Sequence, residues 1–156
     1  MAESITYEKT RRNIILDAAR EIRSLQKYCA LITIGSNGQP NIRTMNPFPP
    51  EDDMTVWMAT NSRCRKVVEI RENPQVVLYY ADHTDACGYV AIAGKALLIN
   101  ENQEKEKRKR DYWKEAFPDW TCLLLIKVIP ERIEVINYKQ NMLNDEITWQ
   151  APYLEV

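Results

Sequence analysis

The sequence predicts one α+β domain, mainly β, in which six mostly antiparallel strands close or nearly close into a small barrel flanked by helices. Three observations carry this. Short apolar runs rich in Val, Ile, Thr and Tyr recur along the chain, as in YCALITIG (28–35), MTVWMAT (54–60) and QVVLYYA (75–81), and Gly, Pro and Asn bound them. An Asn37-Gly38 pair between two such runs is a strong short-range hairpin signal. The 156 residues contain no internal repeat, linker or break in composition, so one core is expected. Closing such strands into a barrel removes their exposed edges.

Each element has a local reason. Residues 6–27 read as an amphipathic helix, with Ile15, Ala18, Ile22 and Leu25 at helical spacing and Arg11, Arg12, Asp17, Arg20 and Arg23 largely elsewhere around the wheel. The first strand is 28–35, and 36–39 turn it into a return strand at 40–46. Pro47, Pro49 and Pro50 then mark a loop. The third strand is 54–60. Asn61-Ser62 are placed to cap a short helix, 63–72, whose apolar face is Val67, Val68 and Ile70. Asn73-Pro74 ends it. Strands follow at 75–81 and 89–99, the latter with a bulge or bend expected at Gly94. A very polar helix is predicted over 102–117, with an apolar end at Tyr112, Trp113, Ala116 and Phe117. The last strand or strands span 122–129 and 131–138 with Pro130 as a kink between them, and 139–156 form a tail that extends onto a partner.

Composition narrows the function. A net charge of −1 and a pI near 5.9 give no general basic field, so nucleic acid is not an expected partner. No apolar run is long enough for a membrane span, and no secretory leader is visible at 1–12, so a cytoplasmic protein is expected. Cys29, Cys64, Cys87 and Cys122 stand far apart, without a C-x-x-C pair and with His83 as the one histidine, which argues against zinc and for four reduced thiols.

The chemistry concentrates in TNSRCRK, residues 60–66, where a strand turns into a helix. Free N–H groups and the helix dipole favour an anion at such a junction. Arg63, Arg65 and Lys66 sit there, although cations at a bare helix N-terminus cost from a few tenths to about 1 kcal/mol each. A phosphate would resolve the conflict, and a solvated basic turn is the alternative. On the return strand, Arg43 shares a face with Met45, and Ile42 shares the other with Thr44. An inward arginine needs a partner, whether a ligand carbonyl, a phosphate or a carboxylate such as Glu69.

The order of these features (R-T-M on a strand, a Pro-containing loop, W-M-A-T, then T-N-x-x-x-R-K entering a helix, NPQVVLYYA, GYVAIAGKA and PERIEVI) resembles the pyridoxamine 5'-phosphate oxidase superfamily. The general stress protein-like branch is the nearer match. The resemblance spans roughly 28–138 and implies a six-stranded antiparallel split β-barrel that binds FMN, pairs as a homodimer and holds each flavin at the interface. By this resemblance Arg43, Thr44 and Met45 line the flavin, Met58 and Ala59 border its ring or ribityl chain, and Thr60, Asn61, Arg65 and Lys66 hold its phosphate. Tyr89 stands where the vitamin oxidase has a flavin-contacting glutamine. The tail 139–156 has neither the arginine nor the histidine with which that enzyme holds its substrate phosphate, which argues against the vitamin oxidase reaction.

The implied function is an oxidoreductase that passes electrons between a reduced nicotinamide or small substrate and FMN. A flavin-binding stress or storage protein without turnover is the alternative, and haem or a deazaflavin in the same barrel is a third reading. A barrel without ligand would leave the cations of 63–66 without a purpose. His83, in the loop DHTDACG, reads as a surface histidine before an acid or base. Cys64, beside those cations, is either packing or an oxidant-sensitive thiol. Trp57 reads as core, and the mixed charges of 104–111 as a solvated helix face.

Overall fold

The computed structural model describes residues 2–81, 83 and 85–156; Met1, Asp82 and Thr84 of the expected N-terminus and loop lie outside them. In chain order the elements are α1 (Ala2–Ser24), β1 (Cys29–Ile34), β2 (Pro40–Met45), β3 (Val56–Asn61), α2 (Arg65–Glu72), β4 (Gln75–Ala81), β5 (Gly88–Ile99), α3 (Asn102–Lys107), α4 (Trp113–Ala116), a 3-10 turn (Trp120–Cys122), β6 (Leu123–Asn137) and β7 (Tyr153–Glu155). All ladders are antiparallel, in the order β2-β1-β4-β5-β6-β3, with β7 added to β6.

The strand count differs from the expectation: the sheet has seven strands rather than six. The tail folds back on its own chain as a seventh strand, and Pro152 accepts a bond from Val135 N–H at 3.0 Å. The sheet ends at β2 on one side and β3 on the other, and no β2–β3 ladder joins them among the described residues. The two ends still share one core, because Met45 and Met58 belong to the same buried cluster.

The segments on either side of Pro130 form one strand, not two. Opposite them the register slips at Gly94: Ala93 pairs with Arg132 and Gly94 with Pro130. A proline removes a ladder donor, and a bulge is where a sheet tolerates that loss. Gly94 is required there, since a Cβ would stand 2.0 Å from the Ile129 carbonyl oxygen. At the β1–β2 hairpin only Gly38 takes positive φ, at 78°; Asn37 instead accepts the Gln39 N–H on its side chain at 3.0 Å.

Helix α1 lays Ile15, Ala18, Ala19 and Ile22 on the inner sheet face, against Leu78, Val90, Ile92, Ile133 and Val135. It ends at Ser24, three residues before the expected end, so Leu25 is exposed rather than part of the stripe. The predicted helix 102–117 is two short helices, α3 and α4. Its apolar end must turn onto the outer face of β3 and β6, where Trp113 is fully buried with Trp57, Leu123 and Leu125. Arg108 marks the break, its guanidinium stacked 3.6 Å over the Trp57 ring. Among the described residues, no helix is long and apolar enough to cross a membrane.

Gly94→Ala should lower stability by about 1–3 kcal/mol, since the new methyl group has no room unless the strands move apart. Urea unfolding of the two proteins measures it.

Candidate functional site

Strand β3 runs into the turn 62–64, and α2 begins at Arg65, two residues later than the sequence suggested. Asn61 and Ser62 do not cap the helix. Asn61 Oδ1 accepts the Arg63 N–H at 2.9 Å, and Ser62 N–H bonds the Cys122 carbonyl at 2.8 Å, which ties the turn to the start of β6. The N-cap is Cys64, which makes no side-chain capping bond, and the first turn carries no acidic residue. The first N–H groups of a helix lack intrahelical partners, so the positive end of the dipole meets Arg65 and Lys66 without an anion of its own.

Lys66 is the centre of this turn. Its ammonium lies 3.1 Å from the buried Thr60 hydroxyl and 3.3 Å from the Cys64 sulfur. Burial works against ionisation of the Cys64 thiol, but the Thr60 hydrogen bond and the Lys66 charge more than offset it and lower its pKa. Cys29 behaves oppositely: burial pushes its pKa up to about 12.

Arg43 takes the carboxylate partner that the sequence left open. Its Nη2 lies 3.1 Å from Glu69 Oε2, and Arg65 Nε lies 3.1 Å from Oε1 of the same side chain. The Glu69 side chain is 5% exposed, against 19% for Arg43 and 71% for Arg65, so a buried acid holds one half-buried and one surface arginine. The Thr33 hydroxyl donates to Oε2, and Asn41 Nδ2 donates to Oε1 at 2.8 Å. Arg43 Nη1 also bonds Thr33 Oγ1 at 2.5 Å. Burial raises the Glu69 pKa, but Thr33, Arg43 and Arg65 outweigh it, and the carboxyl is held below its usual range. Arg63, expected beside Arg65, turns instead to Asp119 at 3.6 Å.

The remaining candidates divide. Met45 and Met58 have their side chains in the main core, Ala59 packs on the outer cluster, and Thr44 is exposed. Tyr89 is not with them. It donates to Glu134 Oε1 at 2.7 Å and packs on Tyr79 at 5.4 Å between rings. Ala59 pairs with Leu125, whereas Tyr89 pairs with Ile136, about 36 Å further along the path of β6 at about 3.3 Å per residue. Burial and the Glu134 bond hold its phenol well above the usual range. His83 is exposed, its ring stacked 6.3 Å from that of Tyr79. Sequence reasoning named Glu69 only as one option for Arg43 and missed Thr33 and Asn41, polar residues on inward-facing strand positions. It also missed a cleft of about 830 Å³ beside the end of β2, lined by Arg23, Lys27, Asn46, Pro47, Arg110 and Tyr112.

With this geometry in view, the family follows. The family model for pyridoxamine 5'-phosphate oxidase matches residues 15–137, and the chain belongs to that family. General stress protein 26 of Bacillus subtilis (strain 168) is 30% identical over 116 residues, 71% of this chain and 80% of its own length. The crystal structure of general stress protein 26 from Bacillus anthracis str. Sterne superposes with a TM-score of 0.69 at 22% identity, covering 90% of this chain and 97% of that one. Two structures with the same fold are named for different ligands. An FMN-binding protein related to pyridoxamine 5'-phosphate oxidase, from Nostoc punctiforme PCC 73102, has a TM-score of 0.62 at 16% identity and covers 93% of this chain and 95% of that one. A heme-binding protein from Mycobacterium smegmatis has a TM-score of 0.63 at 12% identity, over 78% and 53%.

If Lys66 lowers the Cys64 pKa, Lys66→Met should raise it and slow alkylation of Cys64 by iodoacetamide near neutral pH several-fold. Cys29 should stay unreactive in both folded proteins. Mass spectrometry of timed samples resolves the two sites.

Proposed function

We propose that this chain binds FMN with its phosphate at the β3–α2 junction and works as a cytoplasmic, homodimeric oxidoreductase. It would pass electrons between a reduced nicotinamide or small substrate and the flavin. The observation that carries the reading is an uncapped, acid-free helix N-terminus with Lys66 set against the Thr60 hydroxyl. The residues fit the group. Arg43, Arg65 and Lys66 against the single carboxylate of Glu69 leave an excess of two positive charges, and a phosphate monoester carries about −1.5 to −2 at neutral pH.

Lys66, Arg65, Thr60 and Asn61 would hold the phosphate, while Arg43, Thr44, Met45, Met58 and Ala59 would border the rest of the flavin, Met58 and Ala59 through their backbone. FMN would supply an acceptor for hydride or single electrons. The cleft lined by Arg23, Asn46, Pro47 and Arg110 offers room for the small-molecule partner.

The homodimer is supported by the outer sheet face. Ile42 is 68% exposed there, beside half-buried Ile32, Val77 and Tyr79 on neighbouring strands. Apolar faces of this kind favour a second copy. Tyr89, remote from Thr60 within one chain, would reach a flavin only from that second copy.

A non-catalytic flavin-binding role is the second reading, favoured by the name of the Bacillus subtilis relative, a general stress protein. Anaerobic addition of NADH or NADPH to the FMN-loaded protein separates the two. Rapid loss of flavin colour is expected for the oxidoreductase, and a flavin that every donor leaves oxidised would favour the second reading.

Arg65→Ala combined with Lys66→Ala should weaken FMN binding by at least about 3 kcal/mol through two lost charge-assisted contacts; fluorescence titration measures it, and an affinity within a few-fold of wild type would remove the phosphate assignment. Ile42→Glu should shift the protein toward monomer in sedimentation equilibrium.

A further inference from the structure

Glu69 lies outside every family motif named above, yet four donors converge on it from three elements. Thr33 and Arg43 meet Oε2 from β1 and β2. Asn41 of β2 and Arg65 of α2 meet Oε1. We propose that Glu69 is the positioning residue of the phosphate site, an inference that rests on the FMN reading above. It fixes the guanidinium groups of Arg43 and Arg65 relative to each other and removes one positive charge from the cluster, so that the site is matched to a terminal phosphate monoester.

The argument is geometric first. Arg43 sits on an edge strand, opposite Leu31, and Arg65 on the surface of a helix, and the sheet ladder fixes neither guanidinium. Both have long side chains with several rotamers, and a free guanidinium at either position would sample many of them. The shared carboxylate joins them across the gap between the β1–β2 hairpin and α2. Glu69 is itself immobile, because its side chain is buried and its two oxygens accept from residues on two strands. Arg43 is held a second time, by Thr33 Oγ1 at 2.5 Å and the Leu31 carbonyl at 3.3 Å. Arg65 keeps most of its surface in water, so it can turn toward a ligand while its Nε stays on Glu69.

Charge gives the second reason. Without Glu69, Arg43, Arg65 and Lys66 would repel one another around the helix N-terminus. With it, the excess equals the charge of one doubly ionised phosphate. Glutamine cannot replace the acid here. Each carboxylate oxygen already accepts two donors, one of them a guanidinium N–H that cannot accept, so an amide NH₂ at either position would lose an arginine contact and the negative charge that holds both arginines.

The test compares FMN with riboflavin, which carries the same ring and ribityl chain without the phosphate. Dissociation constants for both are measured by fluorescence quenching in wild type, Glu69→Gln and Thr33→Val. Wild type should prefer FMN over riboflavin by at least a hundredfold. Glu69→Gln should reduce that preference tenfold or more, with riboflavin, whose ring Arg43 borders, weakened far less than FMN. Thr33→Val, which keeps the side-chain shape and removes the hydroxyl that donates to Glu69 and accepts from Arg43, should reduce it several-fold and keeps the test open if Glu69→Gln does not fold. A preference that stays at the wild-type value in a folded variant overturns the positioning role. FMN and riboflavin weakening together would assign Glu69 to the fold alone and also overturns it. Wild type that binds the two flavins equally would instead remove the phosphate site, and the proposal with it.

Discussion

The long β5–β6 pair is the constraint on which the rest of the molecule depends. β6 spans fifteen residues and pairs with β5 along nearly its whole length; β3 occupies the other side of its first half and β7 that of its second. A strand this long, buried on its inner face throughout, has to bend to follow a small core, and the bulge at Gly94 and Pro130 lets it do so where the proline has no N–H to give the ladder. The bend also decides where the site lies. It separates the half of β6 that carries β3 and the α2 turn from the half that carries Tyr89's partner and the tail.

The site is set by electrostatics laid over that frame. Cations gather where a strand feeds a helix, and the chain supplies one buried carboxylate, from the helix itself, to hold two of them. A buried acid with a lowered pKa stays ionised through the neutral range, because its hydrogen bonds and neighbouring charges exceed the desolvation that opposes them. Its contribution to stability is present above the ordinary carboxylate pKa and is lost as pH falls through the lowered value. Among the described residues Lys66 has no such acid and rests on Thr60 and Cys64.

Much of this was legible because it is local. The β1–β2 hairpin follows from Asn37-Gly38, although only the glycine takes the left-handed conformation. The bulge was legible at Gly94, and a kink at Pro130, each from the residue itself; that the two face each other is seen only in the sheet. Other features were hidden for equally local reasons. Cys64 carries no capping signal, so the start of α2 was placed at Arg63. The three residues of β7 have no alternation to read, and 102–117 has a helical pattern that gives no sign of the break at Arg108, which the Trp57 ring stabilises from a distant strand.

The sequence by itself determined the class of fold, the ends of most strands, the basic turn at 60–66 and the family resemblance, since each rests on residues close together in the chain. Tertiary structure alone decided the sheet order, the open gap between β2 and β3, the return of the tail onto β6 and the remoteness of Tyr89 from Thr60. It also decided that Glu69 joins Arg43 to Arg65. The physical reason is the same in each case. Partners far apart in the chain, such as Arg43 and Glu69 at a separation of 26 residues, meet only once the core has chosen which strands are neighbours, and no local pattern encodes that choice.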